Sequence, residues 1–146
     1  MKARWLTLAF CSFVLINMPV YGQTSNDLIG TWHNESQALL NITAISPGGQ
    51  FTGTYVSEPG KVFPLYGWVK PVVDSSKGPN IVPVLFRIQG GVYGTITVWS
   101  GYLSKGKDGR LSITAIWDEV RAHADPDSSP DNGTVNFAVF KPGPAH

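Results

Sequence analysis

Cysteine is nearly missing from this chain of 146 residues: Cys11 is the only one. One thiol closes no intrachain disulfide, so stability has to come from the core and from association. Charge is scarce too, with 11 basic and 10 acidic side chains, a net charge of +1, and no run of one sign. Electrostatic docking on nucleic acid or on a membrane surface therefore has no support. Histidine is limited to His33, His123 and His146, and no His, Asp or Glu group has metal-ligand spacing. There is no Gly-x-Ser-x-Gly elbow. Asp118 and Glu119 are neighbours in a strand-like segment, so they point to opposite faces and cannot work as a carboxylate pair. The chain reads as a binding protein that is not an enzyme, with no cofactor. Helical 3.6-residue periodicity is also missing, which excludes a helical bundle.

The longest apolar run, Leu6 to Ile16, is too short to be preferred as a membrane span. Lys2 and Arg4 precede it, and Val20-Tyr21-Gly22 follows at the spacing of a cleavage site. Residues 1–22 read as a secretory signal peptide, leaving a single domain over 23–146. Cleavage removes Cys11 together with Lys2 and Arg4, so the formal charge falls from +1 to −1 (+1 − 2). The expected product is secreted and has no membrane segment. Three Asn-x-Ser/Thr sequons follow, at Asn34, Asn41 and Asn132. Asn132, in a polar loop, is the best glycan acceptor if the host glycosylates.

The remainder is a string of strand-like segments: Ile29–Asn34, Leu39–Ser46, Phe51–Ser57, Val62–Val69, Ile81–Gln89, Tyr93–Ser104, Arg110–Val120 and Thr134–Lys141. Turn signals separate them, among them Pro47-Gly48-Gly49, Pro59-Gly60, Gly90-Gly91 and Lys105-Gly106-Lys107-Asp108-Gly109. Eight short strands on hairpin-sized loops predict an all-β fold, an eight-stranded antiparallel up-and-down barrel in preference to a Greek-key sandwich. Such a barrel is just wide enough to be filled by side chains or to hold one small ligand. The longest connection, Arg121 to Gly133, reads as a solvated loop or lid.

Two stretches depart from simple apolar-in, polar-out alternation. Period two puts Trp32 with Asn34, Tyr55 with Ser57, and Thr95 and Thr97 with Trp99 on shared faces. Polar groups sharing a face with large aromatics describe a pocket for a small, polar-headed molecule. Trp32 itself reads as a core residue closing one end of the barrel. Glu58 and Lys61 read as solvated loop charges.

The segments Gly30-Thr31-Trp32-x-Asn34, Phe51-Thr52-Gly53-Thr54-Tyr55-x-Ser57, Thr97-Val98-Trp99-Ser100-Gly101 and Ile113-Thr114-Ala115-Ile116-Trp117 resemble the avidin and streptavidin family, in the family's order. The resemblance spans about Leu28 to Lys141. It implies a barrel that binds biotin, as ligand and not as cofactor, at its open end, usually as a homo-oligomer, a tetramer or dimer. Asn34, Tyr55 and Ser57 match positions that bond the ureido group. Thr97 matches a position near the thioether sulfur, and Thr95 one near the valerate carboxylate. Trp99, Trp117 and Phe86 match aromatic walls, Phe86 standing where the family usually has tryptophan. Other positions depart from the pattern. Ala38 replaces a serine donor, Ala138 stands where an Asp or Asn acceptor is expected, and Ser129-Pro130-Asp131 lies where a capping tryptophan belongs. Glu119 falls on an inward position that is usually apolar. Ser36 and Asn136, each two residues from a substituted position, are candidate replacements. The expectation is biotin binding at reduced affinity; the alternative is the same fold with a site drifted to another small ligand, or to none, serving as a surface or interaction protein.

Overall fold

The computed structural model describes residues 24–57, 60–71, 81–90, 94–121 and 135–143. Its strands are β1 (Gly30–His33), β2 (Leu39–Ile45), β3 (Gln50–Ser57), β4 (Lys61–Val69), β5 (Ile81–Gly90), β6 (Thr95–Lys105), β7 (Leu111–Val120) and β8 (Asn136–Pro142). They close into one barrel in chain order, every neighbour antiparallel. The signal-peptide segment 1–22 lies outside the described residues. So do Glu58, Tyr93, His123, Thr134, His146 and the 122–133 part of the long loop, with Ser129-Pro130-Asp131 and the Asn132 sequon.

Turn chemistry sets the hairpins. Ser46 N–H donates to the Gln50 carbonyl at 2.7 Å across a turn whose Gly49 has φ +84°, a conformation that favours glycine. Gly106 N–H closes the β6–β7 turn onto the Arg110 carbonyl at 2.8 Å. The seam where the barrel closes is short: Trp32 faces Pro142 and His33 faces Lys141. Gly143 N–H extends it by donating to the Thr31 carbonyl at 2.9 Å.

Two local features depart from plain strands. A bulge at Thr43 shifts the β2–β3 register between Ile42 and Ala44. Inward parity thereby switches from Leu40 and Ile42 to Ile45, which packs on the core, as an extra residue requires. A short 3-10 helix, Ser25–Leu28, precedes β1. Thr24 N–H donates to the Asp27 carboxylate at 2.7 Å, which caps the helix start, and Asp27 N–H donates to the Thr24 carbonyl at 3.2 Å as the first 3-10 bond. This helix buries Leu28, whose carbonyl accepts the indole N–H of Trp32 at 2.9 Å.

The strands cross the barrel in registered rows. Val82, Leu103, Ile113 and Phe140 form one inward row, each fully buried. With Ile42, Phe51 and Leu65 they fill one half of the interior. The outer surface is uneven. Across β4 to β8 one outward row reads Trp68, Leu85, Ser100, Ile116, Phe137, and its four apolar members are exposed. Across β1 to β3 the outward row is Thr31, Asn41, Thr54.

Candidate ligand-binding site

The ends of the strands opposite the filled half surround a cavity of about 720 Å³, within the usual range of small-molecule sites. The antiparallel order brings the last residues of β3 and β7 beside the first residues of β6 and β8. Tyr55, Ser57, Thr95, Thr97, Trp99 and Trp117 all border this one space, as does Asn34 in the β1–β2 loop. The floor is aromatic. Trp99 and Trp117 are register partners with ring centroids 6.4 Å apart, and Tyr55 lies 5.2 Å from Trp99.

Phe86 is placed differently from the expectation of a wall. It does not border the cavity. It lies fully buried behind Trp99, stacked on that ring at 5.1 Å and 13°. Its other side meets Phe140 edge-on at 6.0 Å and Phe51 at 6.4 Å. Phe86 and Trp99 share a row, and the larger indole covers the phenyl ring from the open side. Phe86 therefore stiffens the floor from below.

Asn34 also differs from its expected setting. β1 ends at His33, so the strand pleat does not orient Asn34. Its Oδ1 accepts the Ala38 N–H at 3.0 Å, and its own N–H donates to the Ala38 carbonyl at 3.2 Å. These bonds fix the amide's sense and leave Nδ2–H as the half that can donate to a ligand.

Tyr55 has its hydroxyl pKa raised above 10.0, first by burial and then by the negative charge of Glu119. At neutral pH the group is protonated and can donate. Glu119 borders the cavity too. Its Oε2 accepts from the Thr97 hydroxyl at 3.2 Å, and its Oε1 accepts from Arg121 Nε–H at 2.5 Å.

A sequence model described as the avidin family matches residues 22–142. The chain belongs to the avidin family. Solved structures agree on the fold. The structure of Xenavidin is 24% identical, TM-score 0.66, covering 80% of this chain and 96% of its own. A biotin binding protein from chicken is 21% identical, TM-score 0.70, covering 82% and 99%. AVR2 is 20% identical, TM-score 0.67, covering 83% and 98%. A comparison with curated protein sequences yields no match.

Within this avidin-family barrel the departures fall unevenly. Ala38 is buried, and its backbone is engaged by Asn34; it brings no hydroxyl to the site. On β8 both Asn136 and Ala138 border the cavity. Asn136 is the register partner of Trp117, whereas Ala138 pairs with Ala115 one row deeper. The polar side chain that β8 presents to the cavity is therefore Asn136, and the vacancy inferred at Ala138 is offset by its neighbour on the same face. Ser36 and Lys61 border the cavity as well. The pattern reading passed over Phe63, Ile88 and Arg121, which also line it. A period-two signal pointed to each of them. Phe63 shares the parity of Leu65 and Val69, Ile88 continues that of Phe86, and Arg121 continues that of Trp117 and Glu119.

Proposed function

We propose that this avidin-family protein binds biotin non-covalently in the open end of its barrel and catalyses no reaction. The observation that carries this reading is the gathering of Asn34, Tyr55 and Ser57 with Trp99 and Trp117 around one cavity of ligand size. Biotin's ureido oxygen is an acceptor, suited to Asn34 Nδ2–H and to the Tyr55 hydroxyl. The Ser57 hydroxyl accepts from a ureido N–H. The bicyclic ring packs on Trp99 and Trp117, with Thr97 toward the sulfur and Thr95 toward the tail.

Affinity is reduced on this reading. The missing hydroxyl at Ala38 costs about 1–3 kcal/mol, and the missing capping tryptophan about 2–4 kcal/mol on a hot-spot scale. Against the roughly −18 to −21 kcal/mol of the tightest complexes, among which biotin–streptavidin is a general benchmark, the remainder is still firm binding. A drifted site for another small ligand is the second reading, favoured by Ala38 and by the Glu119 carboxylate. We further infer a secreted homo-oligomer, tetramer or dimer, associating through the exposed apolar outer row of β4 to β8. Light scattering on residues 23–146 is expected to give a multiple of the monomer mass; a monomer at micromolar concentration contradicts it.

Calorimetric titration of residues 23–146 with biotin tests the function. We expect heat at one site per chain and a raised melting temperature. Asn34→Ala and Tyr55→Phe should each weaken binding about tenfold, the worth of one hydrogen bond. Absence of both heat and a melting shift rejects the reading. Undiminished affinity in both variants leaves biotin as ligand but removes the ureido assignment.

A further inference from the structure

The charges around the cavity are unequally placed. Glu119 sits on the wall in the same row as Thr97, and its side chain is only 27% exposed. Its partner Arg121 is 63% exposed. A charge in solvent is screened more than one on a partly buried wall, so the guanidinium, although Arg121 also borders the cavity, offsets the carboxylate only in part. The other ionic side chains at the cavity, Glu35 and Lys61, belong to residues exposed to solvent and are of opposite sign. The field inside is therefore set by Glu119. The same carboxylate raises the Tyr55 hydroxyl pKa, second to burial.

We propose that Glu119 is a specificity-determining residue that makes this pocket select ligands with a neutral or cationic tail over those with a carboxylate tail. Resting on the biotin reading, the inference names the preferred ligand class: amide-linked biotin conjugates, as on a lysine side chain, ahead of the free acid. The tail leaves the ring beside Thr97 and Thr95. Thr97 holds the Glu119 carboxylate at 3.2 Å, so an anionic tail passes a fixed negative charge. An amide removes the tail's charge and supplies an N–H that a carboxylate oxygen can accept. Arg121 has the opposing role: bonded to Oε1 at 2.5 Å, it moderates the discrimination and orients the carboxylate.

The test uses three probes on residues 23–146: biotin, biotinamide, and the amide of biotin with ethylenediamine, which is cationic at neutral pH. Dissociation constants are measured by calorimetry at low salt and again at about 0.5 M salt. In the unmodified chain both amides should bind about fivefold or more tighter than the acid, the size expected for unit charges several ångströms apart in a partly screened site. The gap should narrow with salt. Glu119→Gln, which keeps shape and hydrogen bonding to Thr97, should bring the acid-to-amide ratio near the high-salt value. Arg121→Ala should widen the ratio. An unaltered ratio in both variants, with all three probes still bound, overturns the role of Glu119 and leaves the biotin reading intact. Absence of heat from every probe in every protein overturns both.

Discussion

The filled half of the barrel and its open half are made by the same strands, β5 to β8 keeping one inward parity through both, and they differ in what stands on it. One registered row, Val82, Leu103, Ile113 and Phe140, is apolar and without exposed surface. Three inward rows along, the positions are Ile88, Thr97 and Glu119, and they border the cavity. Between them lie the small-residue row Val84, Gly101, Ala115, Ala138 and then the row Gly67, Phe86, Trp99, Trp117, Asn136, the latter apolar at one side and polar at the other. This division predicts that stability is concentrated in the filled half, which lets polar groups be tolerated in the other. Leu28 and the indole bond of Trp32 seal the filled half; the open half has no such plug among the described residues.

The largest effect expected from breaking this division comes from Phe140→Ala. Phe140 is fully buried and meets Phe86 edge-on at 6.0 Å. Its truncation should cost about 3–5 kcal/mol in a urea titration, the range for a large aromatic lost from a core. Tyr55→Phe in the open half removes one hydroxyl and should change stability by about 1 kcal/mol or less. Comparable losses from the two substitutions would mean that the halves share the load equally.

A paired glycine experiment sharpens the contrast at smaller size. A Cβ at Gly67 would overlap the Phe51 ring and crowd the Leu85 carbonyl, in a region with no space to give. Gly67→Ala should destabilise by about 1–3 kcal/mol, as overpacking does. A Cβ at Gly90 would overlap the Phe63 ring, but Phe63 borders the cavity and has room to turn into it. Gly90→Ala should cost less stability than Gly67→Ala and should weaken the proposed biotin binding by narrowing the pocket. The reverse ranking in melting temperature would show that the open half is the more tightly packed of the two.

Much of this division can be read from period-two parity. Tyr55 with Ser57, and Thr95 and Thr97 with Trp99, were assignable to one face because β3 and β6 run without interruption through those positions. Parity fails where the chain leaves the strand. Asn34 is held by the loop bond to Ala38 and not by pleat. The bulge at Thr43 resets β2, and no residue there advertises it. Depth along a strand is the second blind spot, since parity says inward but not how far down. Phe86 was inward but covered by Trp99, and Asn136 and Ala138 were separable only once Trp117 and Ala115 were known as their partners. The 3-10 helix did have a signal, Thr24-x-x-Asp27 before Leu28. It was too short to register as periodicity.

The smallest effect is the most selective for the open half, because it depends on a partly buried Tyr55 that feels the charge of Glu119. Folding raises the Tyr55 pKa above its ordinary 10.0, through burial first and Glu119 second. Below the unfolded value both states hold the proton, and the contribution to stability is fully present. As pH rises past it, the unfolded chain releases its proton while the folded chain keeps it, so stability falls until the folded hydroxyl ionises in turn. Urea titrations between about pH 9 and 11 should therefore show a decline that is shallower in Tyr55→Phe. Ultraviolet titration should show a tyrosine that ionises above 10.0 and is missing in Tyr55→Phe. Glu119→Gln should move that tyrosine downward only in part, because burial, the larger cause, is untouched. A full return to the ordinary value would reverse the order of the two causes, and no movement at all would separate Glu119 from Tyr55 and remove the support that this interaction lends to a negative pocket.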